Sequence, residues 1–584
     1  MIGRLYSLSQ AQVLALLRRR VWFEEKLRPT AWQLTLWWAG VAGVLGAGAA
    51  ILFAGLTEGV HELLTGSRAG VVESMRLLPA WGVLLVPTAG GFLAGLVLMF
   101  GARLAPGKSS TDYMEAILIG SGRLPVRASL VKCGAALFSI GSGGSIGREG
   151  PMVQLAALSA SLLGRWRSFT APKQRLLVAC GASAGIASAY NAPIAGSFFV
   201  AEIVLGSIAM ESLGPLVVSS VAAALTIRLG AGASNLYHVP GFALGSPWEI
   251  GPFLFLGVVV GTLAPWFLRS LRRAERLFVG TRLPVALRLT VGGFLVGLIA
   301  MRVPEVCGNG YSVVVGILNG QYLWPALLLL VASKWLATAA SFGSGAPGGV
   351  FTPSLFMGAS CGFLFGTAVH MVWPVAGVDA RAFALVGMGA FLAAVSHAPV
   401  MAIIMLFEMT LSYDILLPLM LCSVVAYFTA RSLENLSLYS ESLKRKAAAE
   451  PRSLDWRGDS VQSLMREDPP RLSPEASFAE VARRFVASRV NHLYVVDENG
   501  RFLGVVSLHD IKSHLNDPHI AGLVRARDLL REDFHRLAPD QNLGAALGQF
   551  QGVNAERLPV VDDAGVLVGS LAKTDMLLAL AECR

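Results

Sequence analysis

The chain has 584 residues, of which 54% are hydrophobic and only 15% are charged, and its mean hydropathy is +0.59. A soluble globular protein carries about 25% charged residues, so this composition excludes an ordinary cytosolic enzyme. Residues 1–450 carry 32 basic and 19 acidic residues, whereas residues 451–584 carry 16 and 19. We therefore predict a membrane body followed by a water-soluble domain, and we expect no enzymatic activity. The excess of basic residues fits the loops and ends of membrane helices and is no sign of nucleic-acid binding.

The first 30 residues carry six basic residues against two acidic ones. This bias places residues 1–30 on the cytoplasmic side of the membrane. The six cysteines are scattered along the chain without forming a Cys or His cluster. We therefore expect neither disulfide bonds nor a metal site.

The membrane body, residues 31–440, contains an internal repeat. Residues 141–164 (GSGGSIGREGPMVQLAALSASLLG) align without gaps to residues 343–366 (GSGAPGGVFTPSLFMGASCGFLFG). Further on, Asn191-Ala192-Pro193 precedes Glu202, and His397-Ala398-Pro399 precedes Glu408 with the same spacing. Matching halves with apolar helices broken by Gly and Pro predict an inverted-repeat transporter whose site lies near the membrane midplane, with halves of about 31–229 and 250–440.

Three segments combine glycine with a proline ahead of an apolar helix: residues 120–125 (GSGRLP), 147–151 (GREGP) and 345–353 (GAPGGVFTP). Gly and Pro are typical of helix starts. A helix start presents free backbone N–H groups and the positive end of the helix dipole. Three starts that converge at the midplane would bind an anion through partial charges, which let the anion leave again. The predicted helix starts comprise Gly120, Gly122, Gly147, Arg148, Gly150, Gly348 and Gly349.

The polar tail is also repeated. Residues 471–512 align without a gap to residues 536–577, and each copy predicts a helix, a strand, a turn at Gly500 or Gly565, a second strand and a helix. We predict a polar linker over residues 441–460 and two small α/β domains over 461–518 and 525–584.

With these motifs in place, the body resembles the CLC family of chloride channels and chloride/proton antiporters. The matching residues are GSG-x-x-P at 120–125, GREGP at 147–151, NAP at 191–193, G-x-F-x-P at 349–353 and Leu438-Tyr439-Ser440. The tail resembles a pair of CBS domains. The resemblance implies an all-α polytopic membrane protein with an inverted repeat, followed by an α/β CBS pair.

The resemblance also assigns roles to individual residues. It implies that the hydroxyls of Ser121 and Tyr439 and the backbone N–H groups around Val350 and Phe351 bind chloride. It implies that Glu149 is the gating glutamate, whose carboxylate competes with the anion until protonation releases it. The alternative for Glu149 is a plain salt bridge with Arg148. No cofactor is required, and chloride is the substrate.

One position departs from the best-known antiporters of the family. These carry two consecutive acids after the NAP motif, and the second one relays protons. Here Glu202 is followed by Ile203, which cannot carry a proton. Ile203 therefore favours passive conduction over exchange, although it leaves channel and antiporter both open. Ser121, together with an intact GREGP, favours chloride over nitrate or fluoride.

In the tail, Asp510 and Asp575 match the CBS aspartates that bind the ribose of adenine nucleotides, and Ser507 matches a hydroxyl of the same site. The alternative is a purely structural dimerisation module. The resemblance further implies a homodimer with one pore per subunit, in the bacterial inner membrane, with the CBS pair in the cytoplasm. Its partners would be membrane lipid, chloride and, in an exchanger, protons.

Two other function classes remain as alternatives. A CBS-regulated cation transporter would need acids or carbonyl groups along its path, whereas the motif regions present helix starts and one acid. An ATP-driven pump would need a phosphate-binding loop, and the sequence contains no G-x-x-x-x-G-K-[ST] motif.

Overall fold

The computed structural model describes residues 31–104, 112–118, 120–206, 208–232, 248, 250–373, 379–439, 460–467, 469–488, 492–508, 524–551 and 556–576. The chain divides into two compact units, Met1–Leu443 and Lys444–Arg584. The described part of the first unit is helical, and the second contains two small sheets.

The first half of the membrane body contains nine α-helices in the described residues. They are α1 (Ala31–Thr65), α2 (Val71–Leu77), α3 (Ala80–Leu104), α4 (Tyr113–Leu118), α5 (Val126–Gly141), α6 (Glu149–Trp166), α7 (Ala171–Tyr190), α8 (Pro193–Phe198) and α9 (Met210–Ala231). Helix α8 continues directly into a π-helical turn, Phe199–Val204.

The second half contains eight further α-helices among the described residues. They are α10 (Ile250–Gly280), α11 (Val285–Ala300), α12 (Tyr311–Leu318), α13 (Trp324–Ser344), α14 (Phe351–Val372), α15 (Ala380–Ser396), α16 (Pro399–Thr410) and α17 (Leu416–Leu433). Seven helices of the described part are long and apolar enough to cross a membrane, namely α1, α3, α9, α10, α13, α14 and α17. The chain therefore has the helices of a multi-pass membrane protein.

The helices of the two halves begin and end at equivalent residues of the repeat. Helix α7 ends at Asn191 and helix α15 ends at His397, and both residues adopt the left-handed conformation, with φ of 51° and 57°. In each half a proline then begins the next helix, which is typical of the first helical position. Close packing uses glycine: a Cβ atom at Gly358 of α14 would lie 2.4 Å from the carbonyl oxygen of Gly387 in α15. Such approaches are characteristic of helix pairs in lipid.

The tail contains two copies of one strand pair. In the first copy, strand β1 (Arg471–Leu472) runs parallel to β2 (His492–Val496), which pairs antiparallel with β3 (Phe502–Ser507). In the second, β4 (Arg557–Val561) pairs antiparallel with β5 (Leu567–Ala572). One helix precedes each pair in the described residues: α18 (Phe478–Ser488) and α19 (Leu543–Gln551).

The register of the two strand pairs is the same. His492 faces Ser507 in the first copy, Arg557 faces Ala572 in the second, and both pairs carry a bulge at their fifth position. The turn glycines Gly500 and Gly565 have φ of +78° and +82°, which the sequence signal for turns anticipates. The sequence-based α/β prediction for the tail is thus confirmed in its strands, and the helix expected after β3 lies outside the described residues from residue 509 onward.

Candidate functional site

The two Gly-Pro motifs of the repeat meet at a short antiparallel bridge. The N–H of Gly147 donates to the carbonyl oxygen of Gly349 at 2.7 Å, and the N–H of Gly349 donates to that of Gly147 at 2.8 Å. These glycines hold equivalent positions in the gap-free alignment of the two halves. Helices α6 and α14 begin two residues later, at Glu149 and Phe351. The bridge therefore holds two helix N-termini next to each other, and each has free N–H groups and a positive dipole end.

The Glu149 side chain lies over this bridge. It is 4% exposed, and its Oε2 atom is buried without a hydrogen-bond partner among the described residues. A Cβ atom at Gly147 would lie 1.9 Å from this oxygen, and one at Gly349 would lie 2.8 Å from it. The carboxylate fits here because both positions are glycine. It occupies a place at helix N-termini where a small anion would also be stabilised.

The neighbouring motif residues differ in their surroundings. A Cβ atom at Gly348 would lie 2.5 Å from the Ile146 side chain, whereas the atom nearest to a Cβ at Gly150 is 3.7 Å away. Val350 is buried directly before α14. Arg148 is half-buried and lines an open cavity with His61 and Asn309. No ion pair joins Arg148 to Glu149 in the described part of the chain, which argues against the plain salt-bridge alternative.

Two further predicted site residues meet around a phenylalanine that the sequence did not single out. The ring centroid of Phe199 lies 5.5 Å from that of Tyr439, in an edge-to-face arrangement, and 6.4 Å from that of Phe351. Tyr190 packs on the other side of Phe351 at 5.1 Å, and its hydroxyl hydrogen-bonds to Thr352 Oγ1 at 3.0 Å. The structure thus connects the start of α14 with Tyr439 through aromatic packing.

The loop that carries Ser121 is held by a clamp of buried polar side chains. The carbonyl oxygen of Gly122 accepts from Ser161 Oγ at 2.9 Å and from Gln174 Nε2 at 3.0 Å. Ser161 Oγ also accepts from the N–H of Leu124 at 3.0 Å. Ser161 is 0% exposed and Gln174 is 2% exposed. Sequence reasoning missed both residues, since lone polar residues inside apolar helices carry no motif.

Glycine is needed inside this loop, and the serine hydroxyl stays free. Gly122 has a φ of +74°, and a Cβ atom there would lie 2.8 Å from the backbone nitrogen of Arg175. Gly120 is also closely surrounded, since a Cβ atom there would lie 3.1 Å from Ala116 Cα. Ser121 is exposed, and its hydroxyl has no hydrogen-bond partner among the described residues. A free donor on a rigid loop is suited to an external ligand.

Glu202, the residue before Ile203, is hydrogen-bonded to the start of another helix. Glu202 Oε1 accepts from the N–H of Val400 at 3.2 Å and Oε2 from that of Met401 at 2.7 Å, at the start of α16. Ile203 is half-buried and packs against the main apolar core. Glu202 therefore caps the start of α16 with both of its carboxylate oxygens.

In the tail, Asp575 is engaged by an arginine. The Arg466 side chain donates from Nε to Oδ2 at 3.1 Å and from Nη2 to Oδ1 at 3.2 Å. Ser507 is buried at the end of β3. Asp510 lies outside the described residues. A nucleotide at Asp575 would have to share this carboxylate with Arg466 or replace the ion pair.

The sequence model of one family, described as "Voltage gated chloride channel", matches residues 90–431, the segment that contains all three helix-start motifs. This match covers more than half of the chain. The chain belongs to this family. The CBS domain model matches residues 461–517 and 519–582.

Named relatives agree with the family. A ClcB-like chloride channel protein of Ralstonia nicotianae is 51% identical over 70% of this chain and 96% of its own length. The voltage-gated ClC-type chloride channel ClcB of Citrobacter koseri is 39% identical over 69% of this chain and 97% of its own length. A solved structure of a slow cyanobacterial Cl⁻/H⁺ antiporter superposes with a TM-score of 0.63, at 26% identity over 72% of this chain and 99% of its own. The fold and family predicted from sequence are confirmed.

Proposed function

We propose that this chain moves chloride across a membrane through a pore in each subunit, with Glu149 as the gate. The observation that carries the proposal is the buried Glu149 carboxylate, whose Oε2 atom has no hydrogen-bond partner among the described residues at the point where two helix N-termini meet. When charged, it fills the position that favours an anion; when protonated, it loses that attraction and leaves the position to chloride. The proposed gate therefore opens as the pH falls.

The proposed chloride contacts are those of the family motifs. Ser121 offers a free hydroxyl on a clamped loop, and Tyr439 offers a phenol beside Phe199. Val350 and Phe351 offer backbone N–H groups at the start of α14. All are neutral donors, so an anion is bound without a buried counter-charge and can leave again. The start of α5 after Pro125 supplies the third helix N-terminus.

We propose that conduction is passive. Ile203 cannot hold a proton, and the carboxylate of Glu202 is occupied by two backbone N–H groups. The two named relatives are also described as chloride channels.

Chloride/proton exchange is the second candidate. Two buried hydroxyls, those of Tyr190 and Thr352, form a hydrogen-bonded pair at the start of α14. Hydrogen-bonded hydroxyls can pass a proton from one to the other. The cyanobacterial protein of similar structure is described as a Cl⁻/H⁺ antiporter. Exchange would use this pair in place of the missing inner acid.

The remaining parts of the proposal concern assembly and control. We propose a homodimer in the bacterial inner membrane, with residues 1–30 and the CBS pair in the cytoplasm, a body over 31–440 and a linker over 441–460. We propose further that the CBS pair binds an adenine nucleotide through Asp510, Asp575 and Ser507. A nucleotide would change the gate only by binding its open and closed forms with different affinity.

Anion flux from liposomes tests the proposal directly. Vesicles with the purified chain and separate gradients of chloride, nitrate, fluoride or Mg²⁺ should release chloride fastest and Mg²⁺ not at all. Fast release of nitrate or fluoride with slow release of chloride would show that the other anion, and not chloride, is the main substrate. Mg²⁺ release would support the cation-transporter alternative instead.

A further inference from the structure

The structure points to a binding site for an anionic phospholipid between the first described residues of α1 and the N-terminal end of α7. We propose that the lipid phosphate is bound by Arg167 and Lys173 and that one acyl chain lies in the adjacent apolar groove. The groove is lined by Leu34, Trp38, Ala39, Phe169, Leu176, Leu177 and Cys180, with Lys173 at its edge.

The two cations at this groove have no internal partner. The side chains of Arg167 and Lys173 make no hydrogen bond or ion pair with any described residue, and both residues are exposed. No acidic residue lines the groove in the described part of the chain. An apolar groove edged by unpaired positive charge is complementary to a lipid with a negative headgroup.

The Arg167 guanidinium is held in place although no acidic side chain of the described residues pairs with it. Its Cζ atom lies 4.9 Å from the ring centroid of Trp38 and 5.5 Å from that of Trp166. Contacts with two aromatic faces orient the guanidinium and leave its N–H donors free. A planar group with fixed donors is well suited to a phosphate.

A third donor lies within the groove itself. Trp38 Nε1 is buried without a hydrogen-bond partner among the described residues. Indole N–H groups normally find a partner when they are buried. The ester oxygens of a phospholipid lie between its phosphate and its chains, and they would supply this acceptor at the right depth.

The position in the fold agrees with the level of lipid headgroups. Helix α7 begins at this groove, so its positive dipole end lies beside it. Trp32 and Trp37, next to Trp38, are exposed, as is typical of the aromatic belt at a membrane surface. Lys173 also precedes Gln174, which clamps the Ser121 loop, so a lipid here would brace that loop.

Native mass spectrometry of the full-length chain tests the site, with phosphatidylglycerol as the probe. In the variant Arg167→Ala/Lys173→Ala, the amount of bound phosphatidylglycerol should fall by about fivefold or more relative to the wild type. The control Arg276→Ala/Arg302→Ala removes two exposed cations elsewhere in the body that form no ion pair with a described residue, and it should retain as much as the wild type. Trp38→Phe keeps the apolar groove but removes the N–H, and it should give an intermediate loss.

Three outcomes would overturn the proposal. The first is equal retention of phosphatidylglycerol by the double variant and its control. The second is equal retention of phosphatidylcholine, which would show that the negative headgroup does not matter. The third is capture of residues 1–30, and not of lipid, by a photo-reactive amino acid at position 176, which would mean that the chain fills its own groove.

Discussion

Glu202 and Glu408 each cap the helix that carries the other. Glu202 accepts from the N–H of Met401 at 2.7 Å, and Glu408 accepts from the N–H of Ala195 at 2.7 Å. The two contacts are equivalent under the repeat, so the inverted halves are fastened to each other by one symmetric pair of carboxylates. Capping gives the acid at each position a structural role.

The symmetry of the two caps gives a stability prediction. Glu202→Ala and Glu408→Ala should each lower the free energy of unfolding by about 2 kcal/mol, because each removes two hydrogen bonds between a carboxylate and the N–H groups of a helix start. Glu202→Gln, which keeps one acceptor oxygen, should lose less. Reversible unfolding in mixed micelles provides the measurement. A large loss for only one of the two alanine variants would contradict reciprocal capping.

A second prediction concerns the space occupied by the Glu149 carboxylate. Gly147→Ala would bring a Cβ atom to 1.9 Å from Oε2, so the flexible carboxylate should be displaced. Chloride flux at pH 7 should rise toward that of Glu149→Gln. Gly150→Ala is the matched control, because its Cβ would meet nothing closer than 3.7 Å. Unchanged flux and unchanged pH dependence in Gly147→Ala would show that the carboxylate is not held at this bridge.

The clamp on the Ser121 loop gives a third prediction. Gln174→Leu and Ser161→Ala each leave buried polar groups of the loop unsatisfied, at a cost of about 1–3 kcal/mol. Both should shift the chloride-to-nitrate flux ratio in the same direction as Ser121→Ala. Ser159→Ala is the control on the same helix, since Ser159 bonds only to Ala156. Variants that lower the flux of both anions equally would point to a general structural role.

The tail gives a fourth prediction. Asp575→Asn should weaken the binding of ATP by at least about tenfold in isothermal titration of the full-length chain, because the carboxylate proposed to hold the ribose is lost. Chloride flux without nucleotide should stay unchanged. Asp563→Asn, in the exposed turn before Gly565, is the control for a lost acidic charge. Equal ATP affinity in both variants would leave the CBS pair as a structural module.

Many of the helix starts and turns could be predicted because glycine and proline mark them in the sequence. The repeat pairs Gly147 with Gly349, and this pairing appears as a hydrogen-bonded bridge. The tail repeat likewise predicts two strand pairs with glycine turns, and the structure contains them in matching register. Local patterns of this kind depend on backbone conformation, so they can be read without knowing the packing.

The contacts that position the site were not predictable in the same way. Gln174 lies 52 residues from the Gly122 carbonyl that it holds, and Thr352 lies 162 residues from Tyr190. Such pairs depend on how helices pack, and a single polar residue in an apolar helix gives no spacing signal. The reciprocal caps were visible only as two equally spaced acids, whose partners required the structure.

The most direct test records chloride efflux and internal pH together, in liposomes with a chloride gradient and with or without a proton uncoupler. We expect chloride efflux that rises as the pH falls, with no uphill movement of protons. Glu149→Gln should pass chloride equally well at every pH, because its gate cannot become charged. Proton uptake against a gradient, driven by chloride and lost in Glu149→Gln, would contradict passive conduction and show exchange despite Ile203.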